Sequence, residues 1–305
     1  MRYQGGKSRI AGQIAAKIRE LHPTATEIWE PFCGGGAVTL ALAKVGFRVY
    51  ASDSHEDLIL MWQALMRGEA EPFVDATEAE YQELRNAAPS ARRGFVGFGA
   101  SFGAAWFGGW ARDSKGKRNF LREARENNQR LVGRAVTFYQ GAYNQVTVRS
   151  ASNFTDILVY ADPPYVGTKP YKGFAPFDHN AFWAWAKGRR GPTFVSELVG
   201  PADLEVAWQQ NINAHTSAQK FLRREERLYY KPATIPSHEL ADAAGVPGHD
   251  AAAHHADHGL HESDQPAADL SAQRAEGEPA AAGAGGAVDA REQHVAGREA
   301  PGSDH

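Results

Sequence analysis

The sequence predicts an α/β protein on a doubly wound, mostly parallel sheet. Short apolar strands alternate with helical runs, glycine-rich turns follow the strands, and acidic side chains stand at strand ends. Glu27–Phe32 reads as the first strand, feeding Cys33-Gly34-Gly35-Gly36 and then a helix over Ala37–Val45. Phe47–Ala51 reads as the second strand, ending at Ser52-Asp53, and His55–Met66 as the next helix. Residues 69–91 read as polar and helical, and 94–110, GFVGFGASFGAAWFGGW, as a glycine–aromatic loop. A charged helix is expected from Asn119 to Leu131, interrupting the alternation as an inserted element would. Strands return at Val136–Tyr139, Ile157–Ala161, Phe194–Glu197 and Arg227–Tyr230. Helices are predicted at 179–187, capped by Asp178, and at 201–209, opened by Pro201.

The chain has 305 residues, 43% of them hydrophobic and 23% charged, enough for one large α/β domain carrying an insertion. No apolar run approaches the ~20 residues of a membrane span, and MRYQGGKSRI lacks a signal-peptide core, so a cytoplasmic protein is expected, without a membrane partner. Cys33 is the single cysteine, which argues against a disulfide framework and a Cys-ligated zinc, and no metal is expected.

The net charge of −3 hides a division. Residues 1–237 carry a net +7, and 92–134 alone hold ten basic and three acidic side chains. Such a patch is the footprint of a polyanion partner, a solvated helix face being the plain alternative. The last aromatic residue is Tyr230, and 236–305 is an acidic Ala/Gly/His tail without apolar period, expected to be disordered. Its eight histidines are irregularly spaced, which disfavours a metal site.

Three constellations carry chemistry. In Glu30-Pro31-Phe32-Cys33-Gly34-Gly35-Gly36, glycines let backbone approach a ligand at a helix N-terminus. Asp53 follows Glu30 by 23 residues, near the ~20-residue spacing at which an acid meets ribose hydroxyls, which suggests a nucleoside. A tight structural turn remains open for the glycines alone, and neither the dinucleotide fingerprint nor a Gly-Lys-Ser/Thr P-loop is present. Asp162-Pro163-Pro164-Tyr165 ends an apolar strand, where such sheets bind ligands. Its prolines make a rigid loop offering acceptors only. An aspartate, a bare Pro163 carbonyl and an aromatic plate suit the exocyclic amine of a planar base. The third, Arg2-Tyr3-Gln4-Gly5-Gly6-Lys7, could set backbone and an ammonium beside a carboxylate or phosphate.

EPFCGGGA with DPPY resembles the S-adenosylmethionine-dependent amino-methyltransferases, and RYQGGK ahead of EPF resembles the DNA adenine methylase family. DPPYVGTKPYKG, FDHNAFWAWA, VSE and ERLYY are similar to its phage and bacterial branch, over residues 1–231. The resemblance implies a Rossmann-like methyltransferase sheet with a mainly helical inserted recognition segment. The domains would be 1–56 with 135–235 for catalysis, 57–134 for target recognition, and the tail. It implies S-adenosyl-L-methionine as cofactor, with Tyr3, Gly5, Gly6 and Lys7 at its methionine part. Glu30, Phe32, Gly34 and Gly36 would line its pocket, Asp53 would hold its ribose, and Asp162 would stand near its amino group.

Asp162, Pro163, Pro164 and Tyr165 would bind the target adenine. Double-stranded DNA is the implied partner, a cognate restriction endonuclease is a candidate second, and a monomer is expected. Phe107-Gly108-Gly109-Trp110-Ala111-Arg112 is similar to the family's Phe-Asn-Gly-x-x-Arg element and lies inside the basic segment. Arg92, Arg93, Arg112, Lys115, Lys117 and Arg118 are the expected phosphate contacts, and Arg112 also a reader of a base edge. Ala142 stands where many relatives carry an acid, removing a hydrogen bond to the cofactor's adenine, and Gly108 departs from the usual Asn. The expected activity is N6-adenine methylation of duplex DNA. N4-cytosine methylation, an RNA or protein-amide substrate, and a non-catalytic DNA-binding module remain as alternatives.

Overall fold

Strand β1 (Glu27–Glu30) is buried at all four positions. Ile28 packs with Ile14, Ile18, Leu42 and Trp62. Its neighbour Trp29 packs in a second cluster with Val159, Phe182 and Tyr229. Successive strand side chains point to opposite faces, so the sheet at β1 is covered on both sides and the strand carries no exposed face. The computed structural model describes residues 5–111, 120–151, 153–168, 175–215 and 221–234, all within one unit, Met1–Val246.

The protein is mixed α/β with a seven-stranded sheet. Strands β2 (Arg48–Asp53), β3 (Val136–Gln140), β4 (Leu158–Ala161) and β5 (Thr193–Glu197) join β1 in parallel. Strands β6 (Glu205–His215) and β7 (Phe221–Lys231) pair antiparallel, and β7 runs antiparallel to β5. The order β3-β2-β1-β4-β5-β7-β6 reverses its direction of growth between β1 and β4. That crevice is where open α/β sheets bind ligands.

The first face is covered by α1 (Ala11–Leu21), α2 (Ala37–Lys44) and α3 (Glu56–Arg67), with α5 (Ala91–Gly99) and α6 (Phe120–Leu131) beyond them. The second is covered by α7 (His179–Gly188), which Asp178 caps as expected by accepting from the Ala181 amide at 2.9 Å. Helix α1, over which the sequence reading proposed no element, buries Ile14 and Ile18 on one face. Helix α3 rests on β3 by stacking Trp62 on Phe138, ring centroids 5.5 Å apart. Among the described residues no helix is long and apolar enough to cross a membrane.

Three expectations are corrected. The glycine–aromatic stretch is helical up to Gly99, its helix capped by Ser90 accepting from the Arg93 amide at 3.1 Å. Its glycines are packing residues: a Cβ on Gly94 would lie 2.2 Å from the Asp57 carbonyl oxygen, and one on Gly97 2.4 Å from the Trp106 ring. The polar run 69–91 is broken into a 3-10 turn at Glu71–Phe73 and the short α4 (Glu78–Leu84). The helix expected at 201–209 is a turn, closed by the Leu204 amide donating to the Pro201 carbonyl at 3.2 Å, followed by β6. Val206 pairs with Tyr229 and Trp208 with Leu228 across a register shift, and this pairing with β7 overrides the helix-like opening at Pro201. Strand β7 is also longer than the predicted Arg227–Tyr230. The tail 236–305 lies outside the described residues.

Candidate active site

The glycine turn after β1 is built by two residues in the left-handed region, Gly34 at φ 45° and Gly36 at φ 70°. Glycine alone adopts this at no steric cost. A Cβ on Gly36 would also stand 2.6 Å from the Trp62 ring. The Trp62 indole N–H donates to the Gly34 carbonyl at 3.0 Å, so α3 clamps the turn from below. Asp53, ending the neighbouring β2, accepts from the Gly34 amide through Oδ2 and from the His55 amide through Oδ1, each at 3.0 Å. The spacing between Glu30 and Asp53 therefore does bring the second strand's acid to the glycine turn. Burial pushes the Asp53 carboxyl up, against those backbone hydrogen bonds.

Glu30 lies beneath the turn, accepting from the Thr39 hydroxyl at 2.5 Å. Burial pushes its carboxyl well above the usual range. Phe32 is half-buried and packs 5.5 Å from Tyr143 and 5.6 Å from Phe182, ring centroid to centroid. Gly5 and Gly6 are exposed, and Tyr3 lies outside the described residues.

The DPPY segment leaves β4 one strand away. Pro163 is buried, Pro164 exposed, and the turn closes by the Thr168 amide donating to the Tyr165 carbonyl at 3.0 Å. The Lys7 ammonium donates to Asp162 Oδ1 at 2.7 Å and stands 4.5 Å above the centre of the Tyr165 ring. The N-terminal GGK element and the DPPY element, 155 residues apart in sequence, thus form one site. Burial pushes Asp162 up, and Lys7 opposes that shift. For Lys7, burial lowers its proton affinity, but Asp162 and Glu226 outweigh it and raise the net value.

Two residues of this site carried no role in the sequence reading, although their motifs were noted. Glu226, 1% exposed on β7, accepts from the Tyr165 hydroxyl and lies 3.5 Å from the Lys7 ammonium. Glu197 ends β5 and accepts from the Leu198 amide at 2.8 Å and from the backbone of Val166, just beyond Tyr165. Burial raises the Glu197 carboxyl to about 7.

The expected phosphate contacts divide. Arg92 holds Glu80 through Nε and Nη2, both at 2.8 Å, and also donates to the Pro72, Val74 and Asp75 carbonyls. Arg93 donates to Asp57 at 2.7 Å and to the Leu84 and Arg85 carbonyls. With side chains only 14% and 15% exposed, both arginines fasten α5 to α3, α4 and the turn before α4. Arg112, Lys115, Lys117 and Arg118 lie outside the described residues. A cavity of about 490 Å³ bounded by Glu27, Arg48, Tyr50 and Arg149 opens at the amino ends of β1 and β2 and includes none of the predicted site residues.

The carboxyls of Glu30, Asp53, Asp162 and Glu226, gathered at the carboxyl ends of the parallel strands, fit a cationic, hydroxyl-bearing ligand such as S-adenosylmethionine. The Asp162–Pro163–Tyr165 face fits a planar base with an amino donor. The model of the family described as D12 class N6 adenine-specific DNA methyltransferase matches residues 3–103. No curated protein matches the chain. Among solved structures, a Pyrococcus horikoshii protein described as an RNA methyltransferase is 10% identical, with a TM-score of 0.40, over 76% of this chain and 88% of its own. An Escherichia coli protein described as a methyltransferase is 11% identical, TM-score 0.31, over 73% and 86%. A precorrin-6y C5,15-methyltransferase from Geobacter metallireducens is 10% identical, TM-score 0.29, over 72% and 86%.

Proposed function

We propose that the chain, whose residues 3–103 match the family model described as D12 class N6 adenine-specific DNA methyltransferase, methylates adenine in duplex DNA using S-adenosylmethionine. The observation that carries the reading is Asp162, held at the carboxyl end of β4 beside the glycine turn of β1, at the reversal of strand order.

When bound, S-adenosylmethionine supplies an electrophilic methyl, whose bond to sulfur breaks as the bond from the target amine nitrogen forms. Gly34 and Gly36 would let the backbone approach it, Asp53 would face its ribose, and the exposed Gly5-Gly6 turn would face its methionine part. The adenine is flipped from the duplex, because its amine is unreachable inside the stack. Asp162 and the Pro163 carbonyl each accept a hydrogen bond from that amine, which localises its lone pair toward the methyl. Tyr165 supplies the stacking plate. Positioning and charge placement carry most of the rate.

Residues 1–56 with 135–235 form the catalytic part, and 57–134 contribute the recognition segment. With Arg92 and Arg93 engaged inside the fold, phosphate binding passes to Arg112, Lys115, Lys117 and Arg118, with Arg112 at a base edge.

Asp162→Ala tests the reading. It is expected to keep duplex affinity within about threefold while lowering methyl transfer about a thousandfold, the scale at which a single positioned polar group acts. Turnover preserved in that variant would reject the role of Asp162.

A further inference from the structure

Glu226 reaches the site from outside both motifs that define it. Strand β7 pairs with β5 from Thr193–Lys231 to Glu197–Arg227, so Glu226 is the next residue, level with the carboxyl ends of the parallel strands. From there its buried carboxylate meets the Tyr165 hydroxyl and, at 3.5 Å, the Lys7 ammonium. The same ammonium is hydrogen-bonded to Asp162 at 2.7 Å. Two carboxylates therefore flank one ammonium, and the nearer one is the acceptor that the target amine needs.

We propose that Glu226 is a positioning residue of the transfer site, fixing the Tyr165 ring by its hydroxyl and offering Lys7 a second seat so that Asp162 is released to the amine. This rests on the methyl-transfer reading above. As the amine donates to Asp162 Oδ1, the ammonium moves toward Glu226, and its charge stays paired throughout. A buried ammonium without a second carboxylate would stay on Asp162, since leaving a buried charge unpaired is costly. The amine would then compete with a cation for its acceptor.

Glu226→Gln isolates the charge, because glutamine still accepts from the Tyr165 hydroxyl. Four quantities are read on the full chain: affinity for S-adenosylhomocysteine, fluorescence of duplex DNA with 2-aminopurine at the target position, the single-turnover methyl-transfer rate, and the unfolding midpoint. 2-Aminopurine lacks the 6-amino group, so its signal follows flipping and stacking without the Asp162 contact. The expected result is a transfer rate down about tenfold or more, with cofactor affinity and fluorescence within about twofold of the unaltered protein. Glu226→Asp, which keeps the charge, is expected to transfer faster than Glu226→Gln.

Transfer at the unaltered rate in Glu226→Gln would overturn the proposal. So would a loss matched by cofactor affinity or by the unfolding midpoint, or a Glu226→Asp no faster than Glu226→Gln. An unaltered chain that methylates no adenine would remove the underlying function, a failure distinguishable from these.

Discussion

At the carboxyl ends of the parallel strands, Asp162 and Glu226 share the ammonium of Lys7. Along α5, Arg93 has Asp57 and Arg92 has Glu80. Both regions hold buried charge, but they use it differently. In the helical region each arginine is also tied to carbonyl oxygens, so its charge serves the packing of the helices. In the pocket, burial pushes Asp162, Glu226 and Glu197 upward, and one cation is divided between two of them. Charge fully partnered by its own fold holds helices together. Among the described residues the pocket's carboxylates outnumber their cations, and that surplus is what a cationic cofactor or an amino donor can use. A net count of basic residues does not separate the two cases.

The sharpest way to break this contrast is Arg93→Ala. It leaves Asp57, 3% exposed, as a buried carboxylate facing a vacated guanidinium site. Removing one partner of a buried pair costs about 3–5 kcal/mol, so the unfolding free energy should fall by that order in chemical denaturation. The dependence of duplex affinity on salt should stay unchanged, because no phosphate contact is lost. A shallower salt dependence with intact stability would return Arg93 to the DNA surface.

A smaller effect tests the pocket side. The Glu197 carboxyl stands at about 7 in the folded protein against an ordinary 4.5. Between those values the folded state keeps a proton that the unfolded chain has released. The associated stability is therefore fully present below the lower value and is lost as pH rises through about 7. The difference corresponds to about 3 kcal/mol at most by linkage. Glu197→Gln should flatten the decline in unfolding free energy between about pH 5 and pH 8 by that order. An identical decline in both proteins would mean that Glu197 is not held protonated by burial.

The pocket was legible where its chemistry is local in sequence. Glu30 through Gly36, Asp53 and Asp162 through Tyr165 each sit at the end of a short apolar strand, and strand alternation is enough to bring such ends together. The β-α alternation likewise foretold the parallel strands. Glu226 was not legible as a site residue, because it lies in the charged run Arg223–Arg227. Which member of that run enters the site is decided by the register of β7 on β5, a long-range fact. Helix α5 was hidden by glycines that read as loop but serve close approach to Asp57 and Trp106. Strand β6 was hidden by a proline-led opening that resembles a helix start. Arg92 and Arg93 read as a basic patch because their acidic partners, Glu80 and Asp57, lie 12 and 36 residues away in sequence.

The most direct test of the central claim is to incubate the purified chain with S-adenosylmethionine and unmethylated duplex DNA and to map the modified bases by direct long-read sequencing. The account predicts N6-methyladenine within a recurring short sequence. N4-methylcytosine in its place, or unmodified DNA despite measurable binding of both cofactor and duplex, would contradict it.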